Sequence, residues 1–381
     1  MPFDLSTLSI YQATPEQTVE ARRRTQHEWG RGLTLEEHLA RDAAQERFPG
    51  SRDGRFMTWV LAPRNDPTTL DFKCACETFR RTGSVYDPSI GAVESVGCYG
   101  IASVFTPPTN RGQGFASHLM SLLHWVIADE RLLPVASFPV DKWGAPPSPV
   151  PGLRNARFSA LWTDVGEFYS SCGPYARGAD GWVIRGTSTV VWDVDGNGIS
   201  SSSSLGSSDS SWTWLDETGT SKLWDEDALA IQQALADSTD LCFTFLPSDG
   251  VAFFQHARLD WFTRRLEDPP TTWGLISADR KTYATWAIDP RPPTPPGLTV
   301  TCIRATVETF PALVGKLFEV ARKHSITRIE VWGLSAELED AAKGVGARVF
   351  DREEHLPAFK WYGKESEADV RWAYNERFCW C

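Results

Sequence analysis

A glycine-containing loop in the middle of the chain has the residue types of an anion site. The segment Arg111-Gly112-Gln113-Gly114-Phe115-Ala116 follows a proline turn at 107–108. It precedes an apolar stripe at 119, 122, 123, 126 and 127, a spacing that predicts a helix. Glycines allow the backbone to turn its N–H groups towards one point, and a helix start directs its positive dipole end to the same point. The pattern therefore predicts a pyrophosphate site.

Two other phosphate motifs do not fit this loop. It lacks the Gly-Lys-Ser/Thr of a Walker loop, and Ser117 stands where the dinucleotide motif requires a third glycine or an alanine. Hydrolase and metal chemistry also lack support, because the sequence has no Gly-x-Ser-x-Gly elbow and its seven histidines show no ligand spacing. The segment 193–198 is similar to the start of a calcium loop, but Ser204 occupies the place of the bidentate glutamate. We expect a turn there and no metal.

The cysteines indicate reduced thiols. They occupy positions 74, 76, 98, 172, 242, 302, 379 and 381. The closest pairs are separated by one residue, a spacing that matches neither a structural zinc site nor a redox Cys-x-x-Cys motif. We therefore expect mostly buried, free thiols in a cytoplasmic protein.

The elements that must position the loop are both strands and helices. Strands are predicted at 57–61, 71–80, 96–106 and 158–163, and helices at 15–29, 119–127 and 165–172. Thr14, Pro15 and Gln17 have the pattern of a capped helix start. Because most strands read as antiparallel, the expected fold class is α+β.

The length predicts two domains, since 381 residues exceed the roughly 100–200 of a single domain. Residues 195–211 are almost all Gly, Ser and Asp. We therefore expect a first domain at 1–195, a linker or loop at 196–222, and a second α+β domain at 223–381. The second half has a similar order of elements without an Arg-x-x-Gly loop, which favours a substrate-shaping role.

Charge and hydropathy exclude several classes of partner. The 38 Lys and Arg against 49 Asp and Glu leave a net charge of −11, which suits unaided nucleic-acid binding poorly and a cationic small molecule better. The longest uncharged apolar stretch, 119–128, is shorter than the roughly 20 residues that cross a bilayer. The first residues lack a secretory signal pattern. We expect a cytoplasmic protein without a membrane or nucleic-acid partner, and nothing predicts its oligomeric state.

The loop and a second motif resemble a known family. Arg111-x-x-Gly114-x-Ala116 after a strand is similar to the acetyl-CoA loop of the GNAT superfamily of N-acetyltransferases, and the order of elements agrees over residues 5–190. Phe168-Tyr169-Ser-Ser-Cys-Gly173 is similar to the family's Phe-Tyr-x-x-x-Gly helix. The whole chain resembles the fungal lysine N-acetyltransferases in three segments, 161–169, 329–333 and 375–381. The resemblance implies a GNAT-like mixed, mainly antiparallel sheet, with a degenerate second unit in the C-terminal half.

The resemblance also implies how acetyl-CoA is held. Backbone N–H groups of the strand before the loop would bind the pantetheine arm and the thioester carbonyl, and those of the loop would bind the pyrophosphate. Arg111 would add positive charge at the edge. The residues concerned are Val104, Phe105, Thr106, Arg111, Gly112, Gln113, Gly114, Phe115 and Ala116. Tyr169 would protonate the departing thiolate, with Tyr175 as the alternative.

The general base and the acceptor site stay open at this point. Glu77, Glu94 and Asp164 are candidate bases, because each lies on or near a strand that flanks the predicted site. A fourth candidate is the terminal carboxylate of Cys381, because the apolar segment 378–381 is expected to be buried against the first domain. An amino-acid acceptor would need an arginine for its α-carboxylate, and the candidates are Arg154, Arg157 and Arg185.

Together these features predict an acetyl-CoA-dependent N-acetyltransferase with no metal. The first-choice acceptor is the side-chain amine of free L-lysine, which would attack the thioester directly in a ternary complex. Two alternatives remain: another amine, such as a polyamine, an amino sugar or a protein lysine, and a CoA-binding protein without catalysis. Release of free thiol with a panel of amines separates them.

Overall fold

Strands and helices alternate along the chain in a computed structural model that describes residues 3–175, 178–194 and 211–381. The strands are β1 (Leu8–Gln12), β2 (Phe56–Pro63), β3 (Cys74–Asp87), β4 (Ala92–Phe105), β5 (Ala156–Thr163), β6 (Val183–Ile184), β7 (Ser188–Asp193), β8 (Trp212–Leu215), β9 (Cys242–Phe245), β10 (Gly274–Ser277), β11 (Tyr283–Asp289), β12 (Gly297–Arg304), β13 (Arg328–Trp332), β14 (Arg348–Asp351), β15 (Leu356–Trp361) and β16 (Arg371–Trp372). The α-helices are α1 (Pro15–Trp29), α2 (Leu35–Gln45), α3 (Phe115–Ile127), α4 (Val140–Trp143), α5 (Glu217–Ala236), α6 (Phe254–Thr263), α7 (Phe310–Lys323) and α8 (Ala336–Gly344). The α+β class is confirmed.

The first sheet carries the predicted loop. Its strands run in the order β1-β2-β3-β4-β5-β15-β6, and β9 pairs with β3 and β16. Pairing along this path is antiparallel except between β4 and β5, which are parallel and are joined through α3. A parallel pair needs such a crossover, and the crossover places α3 against the sheet. Both faces of the sheet are buried: Tyr99 packs in the cluster that contains α3, and its neighbour Cys98 packs in the cluster that contains α5 residues.

The second sheet repeats part of this arrangement. Its order is β14-β7-β13-β12-β11-β10-β8. In β10-β11-β12-β13 the first two pairings are antiparallel and the last is parallel, with α7 as the crossover. The same sequence of pairings joins β2, β3, β4 and β5. The chain therefore contains a second unit of the same design.

The expected domain division does not coincide with the division into sheets. β7 lies before residue 195 but belongs to the second sheet, whereas β9, β15 and β16 come from 223–381 and belong to the first. The expected linker at 196–222 needs correction at its C-terminal end, because Trp212–Leu215 form β8 and α5 begins at Glu217. Residues 195–210, including Ser204 and most of the calcium-like segment, lie outside the described residues.

Helix α1 begins where the capping pattern at Thr14 predicts, and α2 begins with the same type of cap. The Gln17 backbone N–H donates to Thr14 Oγ1 at 3.2 Å, and the Thr14 N–H donates to Gln17 Oε1 at 3.0 Å. Thr34 and Glu37 form the same reciprocal cap on α2. Each cap satisfies N–H groups that a helix start leaves without intrahelical partners. These caps position α1 and α2, whose residues line the cavity described below.

The C-terminal segment, residues 375–381, contacts the end of β12 and the residue that follows β13. The Ile303 N–H donates to Glu376 Oε2 at 2.9 Å, and Arg304 pairs with both Glu376 and Asp227. Gly333, at φ 70°, follows β13, and a Cβ there would lie 2.5 Å from the carbonyl oxygen of Asn375. In the second unit, the space beside the parallel strands β12 and β13 is therefore filled by the C-terminal segment.

Candidate active site

In the first sheet, the parallel pair β4 and β5 opens at its C-terminal end. Their pairing extends from Gly97 and Ala156 to Ile101 and Leu161. Beyond Ile101, β4 contains a bulge against β3, with Ser103 at φ 53°. A bulge bends a strand and re-aims its backbone groups. The last residues of β4 are thereby turned towards an opening between the two strands.

The loop after β4 has the backbone that its glycines predict. Gly112 has φ 77° and Gly114 φ 80°, and Gly114 is the left-handed N-cap of α3 with no side-chain cap. The N–H groups of the first helical turn have no intrahelical acceptor, and a helix start is a common place for an anion to bind. Apart from Gly112 itself and its two chain neighbours, no heavy atom of the described residues lies within 4 Å of where a Gly112 Cβ would be. The loop thus fits an anionic group such as the pyrophosphate of acetyl-CoA.

The side chains around this loop have separate roles. Phe115 is buried in the core, with Ala116 packed against the same cluster, so only their backbones are suited to a ligand. The Arg111 guanidinium is more than half exposed, donates from Nε to the Thr106 carbonyl at 3.1 Å and lies 3.6 Å from Glu28 Oε1. The Thr106 hydroxyl donates to Cys74 Sγ at 3.2 Å.

A cavity of about 560 Å³ lies at the opening between β4 and β5. It brings together Val104, Phe105 and Arg111 from the predicted acetyl-CoA site and Tyr169, Asp164 and Cys381 from the predicted catalytic residues, and it also includes Glu77. Its further wall consists of α1, α2, α6 and the C-terminal segment. Both halves of the chain therefore build one site.

Tyr169 lies in a 3₁₀-helix at Gly166–Ser171 that follows β5. Its ring contacts Phe168 edge-on at 5.0 Å, and its backbone carbonyl accepts from the Trp182 N–H at 3.0 Å. Its hydroxyl makes no hydrogen bond to the part of the chain that the structure describes. Burial raises the pKa of Tyr169 above its ordinary value of 10. The phenol therefore keeps its proton at neutral pH and is able to donate it.

Glu77 is the carboxylate best suited to accept a proton. It lies on β3 opposite Ala102, beside the bulge of β4. Burial raises the pKa of Glu77 to about 7, against a smaller lowering by a hydrogen bond from Ser103. A base whose pKa lies near neutral pH combines a large ionised fraction with useful proton affinity. Glu77 was one of the open candidates from the sequence.

The other two acidic candidates are less suited. Glu94 is exposed on β4 opposite Val85, outside the cavity, so the structure corrects its proposed catalytic role. Asp164 lines the cavity but is held by His355, whose N–H donates to Asp164 Oδ1 at 2.6 Å. Burial alone would raise the pKa of Asp164, but the contacts with His355 lower it overall. Asp164 is therefore a weaker proton acceptor than Glu77.

Burial of the apolar segment 378–381 against the first sheet is confirmed. Phe378 and Cys379 are fully buried, and Arg81 of β3 donates to the Cys379 carbonyl. Gln255 Nε2 of α6 donates to the Trp380 carbonyl at 2.6 Å. Cys381 packs on Gly100, where a Cβ would lie 2.6 Å from its sulfur. The segment thereby reaches the cavity wall.

The three arginines proposed for an acceptor carboxylate lie elsewhere. Arg154 donates to the carbonyls of Trp125 and Leu133, Arg157 lies over Trp361 outside the cavity lining, and Arg185 lines a different cavity. The arginines that do line the site include Arg258 on α6 and Arg377 in the C-terminal segment. Arg258 has no local motif. Arg377 lies in the segment 375–381 that resembles the lysine N-acetyltransferases, and the apolar residues that follow it predict a buried charge.

The described part of the chain shows neither a disulfide nor a metal site. All eight cysteines are buried, and none of them forms a disulfide in the described part of the chain. Within residues 3–175, 178–194 and 211–381, no cluster of three or more His, Cys, Asp or Glu could hold a metal ion. In the same part of the chain, no helix has both the length and the apolar character to cross a membrane.

Comparisons with known proteins agree with this architecture. Residues 198–381 match the family described as the LYC1 GNAT-like C-terminal domain. A protein of Yarrowia lipolytica (strain CLIB 122 / E 150) named "Lysine acetyltransferase" is 28% identical over 184 residues, which are 48% of this chain and 42% of that protein. The match therefore spans less than half the length of this relative.

Two solved structures share the fold over most of the chain. A probable N-acyltransferase of unknown function from Enterococcus faecalis V583 has a TM-score of 0.53 at 12% identity, covering 93% of this chain and 73% of that one. A GCN5-related N-acetyltransferase from Anabaena variabilis ATCC 29413 has a TM-score of 0.50 at 13% identity, with the same two coverages. The C-terminal half is therefore similar to the LYC1 GNAT-like C-terminal domain, and the chain as a whole shares the fold of these two solved structures.

Proposed function

We propose that this chain is an acetyl-CoA-dependent N-acetyltransferase that acetylates the side-chain amine of free L-lysine. The observation that carries the proposal is the single cavity shared by the end of β4, Arg111 of the glycine loop, Tyr169 and Glu77. An acetyl transfer to an amine needs an anchored thioester, a base for the ammonium proton and an acid for the thiolate. This cavity offers a group for each need.

The acetyl-CoA side of the site would use mainly backbone groups. The N–H groups at the start of α3 and around Gly112 and Gly114 suit the pyrophosphate, and those of Val104 to Thr106, beyond the bulge, suit the pantetheine arm and the thioester carbonyl. Acetyl-CoA supplies the acetyl group as a thioester. The sequence of the second unit has no Arg-x-x-Gly loop. The C-terminal segment lies beside its parallel strands β12 and β13, where the first unit has its opening.

The proposed chemistry is one direct transfer. Glu77 accepts a proton from the acceptor ammonium, and the free amine attacks the thioester carbon. The tetrahedral oxyanion then collapses, the C–S bond breaks, and Tyr169 gives its proton to the thiolate. The attacking nitrogen passes its remaining extra proton to the Tyr169 phenolate, which leaves a neutral amide and restores the phenol. No covalent acetyl-enzyme is needed, and the eight buried thiols have no part in the transfer.

Cys381 gives a second candidate base. It lies close enough to Glu77 for the charge of Glu77 to raise the pKa of the Cys381 thiol, although burial raises it more. A terminal carboxylate at this position is the candidate base that was expected from the sequence. Extending the chain by one glycine after Cys381 tests this group separately, because the extension leaves Glu77 unchanged.

Two observations support lysine as the acceptor. The relative from Yarrowia lipolytica bears the name "Lysine acetyltransferase". The cavity is lined by Glu77, Asp42 and Asp164, which suit a cationic amine, and by the aromatic rings of Phe79, Trp162 and Phe254, which suit an aliphatic stem.

The test is an amine panel with acetyl-CoA, followed by release of CoA thiol. The panel contains L-lysine, L-ornithine, spermidine, glucosamine and a lysine-containing peptide. The proposal predicts the highest kcat/KM with L-lysine. Faster turnover of the peptide or the polyamine would overturn the acceptor, and CoA binding without thiol release from any amine would overturn the activity.

A further inference from the structure

Two buried arginines of the cavity wall lie over the same tryptophan ring. Arg258 on α6 is 9% exposed and Arg377 in the C-terminal segment is 7% exposed. Their guanidinium carbons lie 4.4 and 4.6 Å from the centre of the same ring, that of Trp380. All three residues line the cavity that also contains Glu77 and Tyr169.

Neither arginine forms an ion pair with a carboxylate within 4 Å among the described residues, although Asp289 lies close enough to influence the pKa of both. The Arg258 side chain makes a single long hydrogen bond, from Nε to the uncharged Gln255 amide oxygen at 3.4 Å. The Arg377 Nε is buried without a partner in the described part of the chain. The other two buried arginines of the same cavity form ion pairs, Arg22 with Glu46 and Arg41 with Asp42, and the partly buried Arg291 pairs with Asp289. Among the buried arginines that line this cavity in the described part of the chain, only Arg258 and Arg377 therefore lack an ion pair.

Their burial makes a missing anion costly. Burial lowers the pKa of Arg258 well below its ordinary value, and the neighbouring charges of Arg291 and Arg377 lower it further. Burial likewise lowers the pKa of Arg377 to about 10. A buried charge is stabilised when an opposite charge and hydrogen bonds replace its lost water. An anion that enters from the cavity would supply the opposite charge that neither guanidinium has within 4 Å.

We infer that Arg258 and Arg377 together bind the carboxylate of the amine acceptor. The planar guanidinium group offers paired N–H donors that match the two oxygens of a carboxylate. A free amino acid has such a carboxylate, whereas a polyamine has none. The inference rests on the proposed function and adds the residues that select a free amino acid. It replaces Arg154, Arg157 and Arg185, which lie outside this cavity.

Cadaverine provides the first test, because it has the amine and the carbon chain of lysine without the carboxylate. With the wild-type protein, kcat/KM for L-lysine is expected to exceed that for cadaverine by roughly 10- to 100-fold, the range for hydrogen bonds to a charged group. Equal values for the two acceptors would overturn the carboxylate site while leaving an acetyltransferase in place. Calorimetric binding of both compounds gives the same comparison if no amine is acetylated, which separates this inference from the activity.

Arg258→Gln and Arg377→Gln provide the second test, with Arg264→Gln as the matched control. Arg264 directly follows α6, is exposed and pairs with Asp260, outside the cavity. Each cavity variant is expected to lower kcat/KM for L-lysine roughly 10- to 100-fold and to change that for cadaverine less than threefold. The control should keep the wild-type lysine-to-cadaverine ratio. Equal losses with both acceptors in variants that still bind acetyl-CoA would indicate a purely structural role and would overturn the inference.

Discussion

Replacing Glu77 by glutamine removes the proposed proton acceptor and preserves the size of the side chain. The lysine side-chain amine has a pKa of about 10.4, so at pH 7 only roughly one molecule in 2,500 is the free amine. Wild-type protein would bind the abundant ammonium form and remove its proton at Glu77. The variant would depend on the rare free amine, so kcat/KM for L-lysine is expected to fall on the order of 10³-fold at pH 7.

The pH dependence gives this prediction its sharpest form. Because burial raises the pKa of Glu77 to about 7, the carboxyl is protonated and inactive below that pH and becomes an active base above it. Wild-type kcat/KM is therefore expected to rise through pH 7. The deficit of the variant should shrink about tenfold per pH unit, because the free-amine fraction grows at that rate, and almost vanish near pH 10.

Unfolding should not account for the loss. The pKa of the Glu77 carboxyl is raised on folding from its ordinary value of 4.5 to about 7. Between these two pH values the unfolded chain loses this proton more readily than the folded chain, so the free energy of unfolding falls as the pH rises. The glutamine variant lacks this charge, so its thermal midpoint at pH 8 is expected to equal or exceed that of wild type. Thiol release measured from pH 6 to 10 is the assay, and Glu94→Gln is the control, because Glu94 is an exposed glutamate on the adjacent strand. Wild-type turnover of the Glu77 variant at pH 7, or an equal loss in the control, would refute the assignment.

Three further variants test other parts of the site. Tyr169→Phe should lower kcat roughly 10²- to 10⁴-fold with little change in KM, while Tyr175→Phe should keep wild-type turnover, and similar losses in both would remove the acid role from Tyr169. Arg111→Gln should raise the KM for acetyl-CoA about threefold to tenfold at unchanged kcat, measured at low ionic strength, where an unchanged KM would exclude a phosphate contact. Gly100→Ala should lower the thermal midpoint by several degrees, because overpacking costs roughly 1–3 kcal/mol and the new Cβ would lie 2.6 Å from Cys381 Sγ. Adding Cys381→Ala should restore the midpoint, and no restoration would contradict the contact as the cause.

The glycine loop could be predicted because its determinants are local. The positive φ angles of Gly112 and Gly114 and the start of α3 depend on a few adjacent residues. The caps of α1 and α2 are local in the same sense. Tyr169 followed from its motif, and β5 and the short helix after it carry it to the cavity.

The base and the acceptor arginines depend on contacts that the sequence does not display. Glu77 and Glu94 both lie on long strands, and the sequence does not show how these strands pair. The pairing of β3 with β4 places Glu77 beside the bulge and Glu94 near the start of β4, away from the bulge. Arg258 and Arg377 come from a distant helix and the C-terminal segment, which meet only in the folded chain. Composition also misled the boundary of the linker, because the serine run ends just before β8.

The most direct measurement is the identity of the product formed from acetyl-CoA and L-lysine. Mass spectrometry with fragmentation distinguishes acetylation of the side-chain amine from acetylation of the α-amine, and thiol release measured in parallel gives the stoichiometry. The account predicts one side-chain acetyl-lysine for each CoA released. Acetylation at the α-amine, or no acetyl-lysine from a protein that binds CoA, would contradict it.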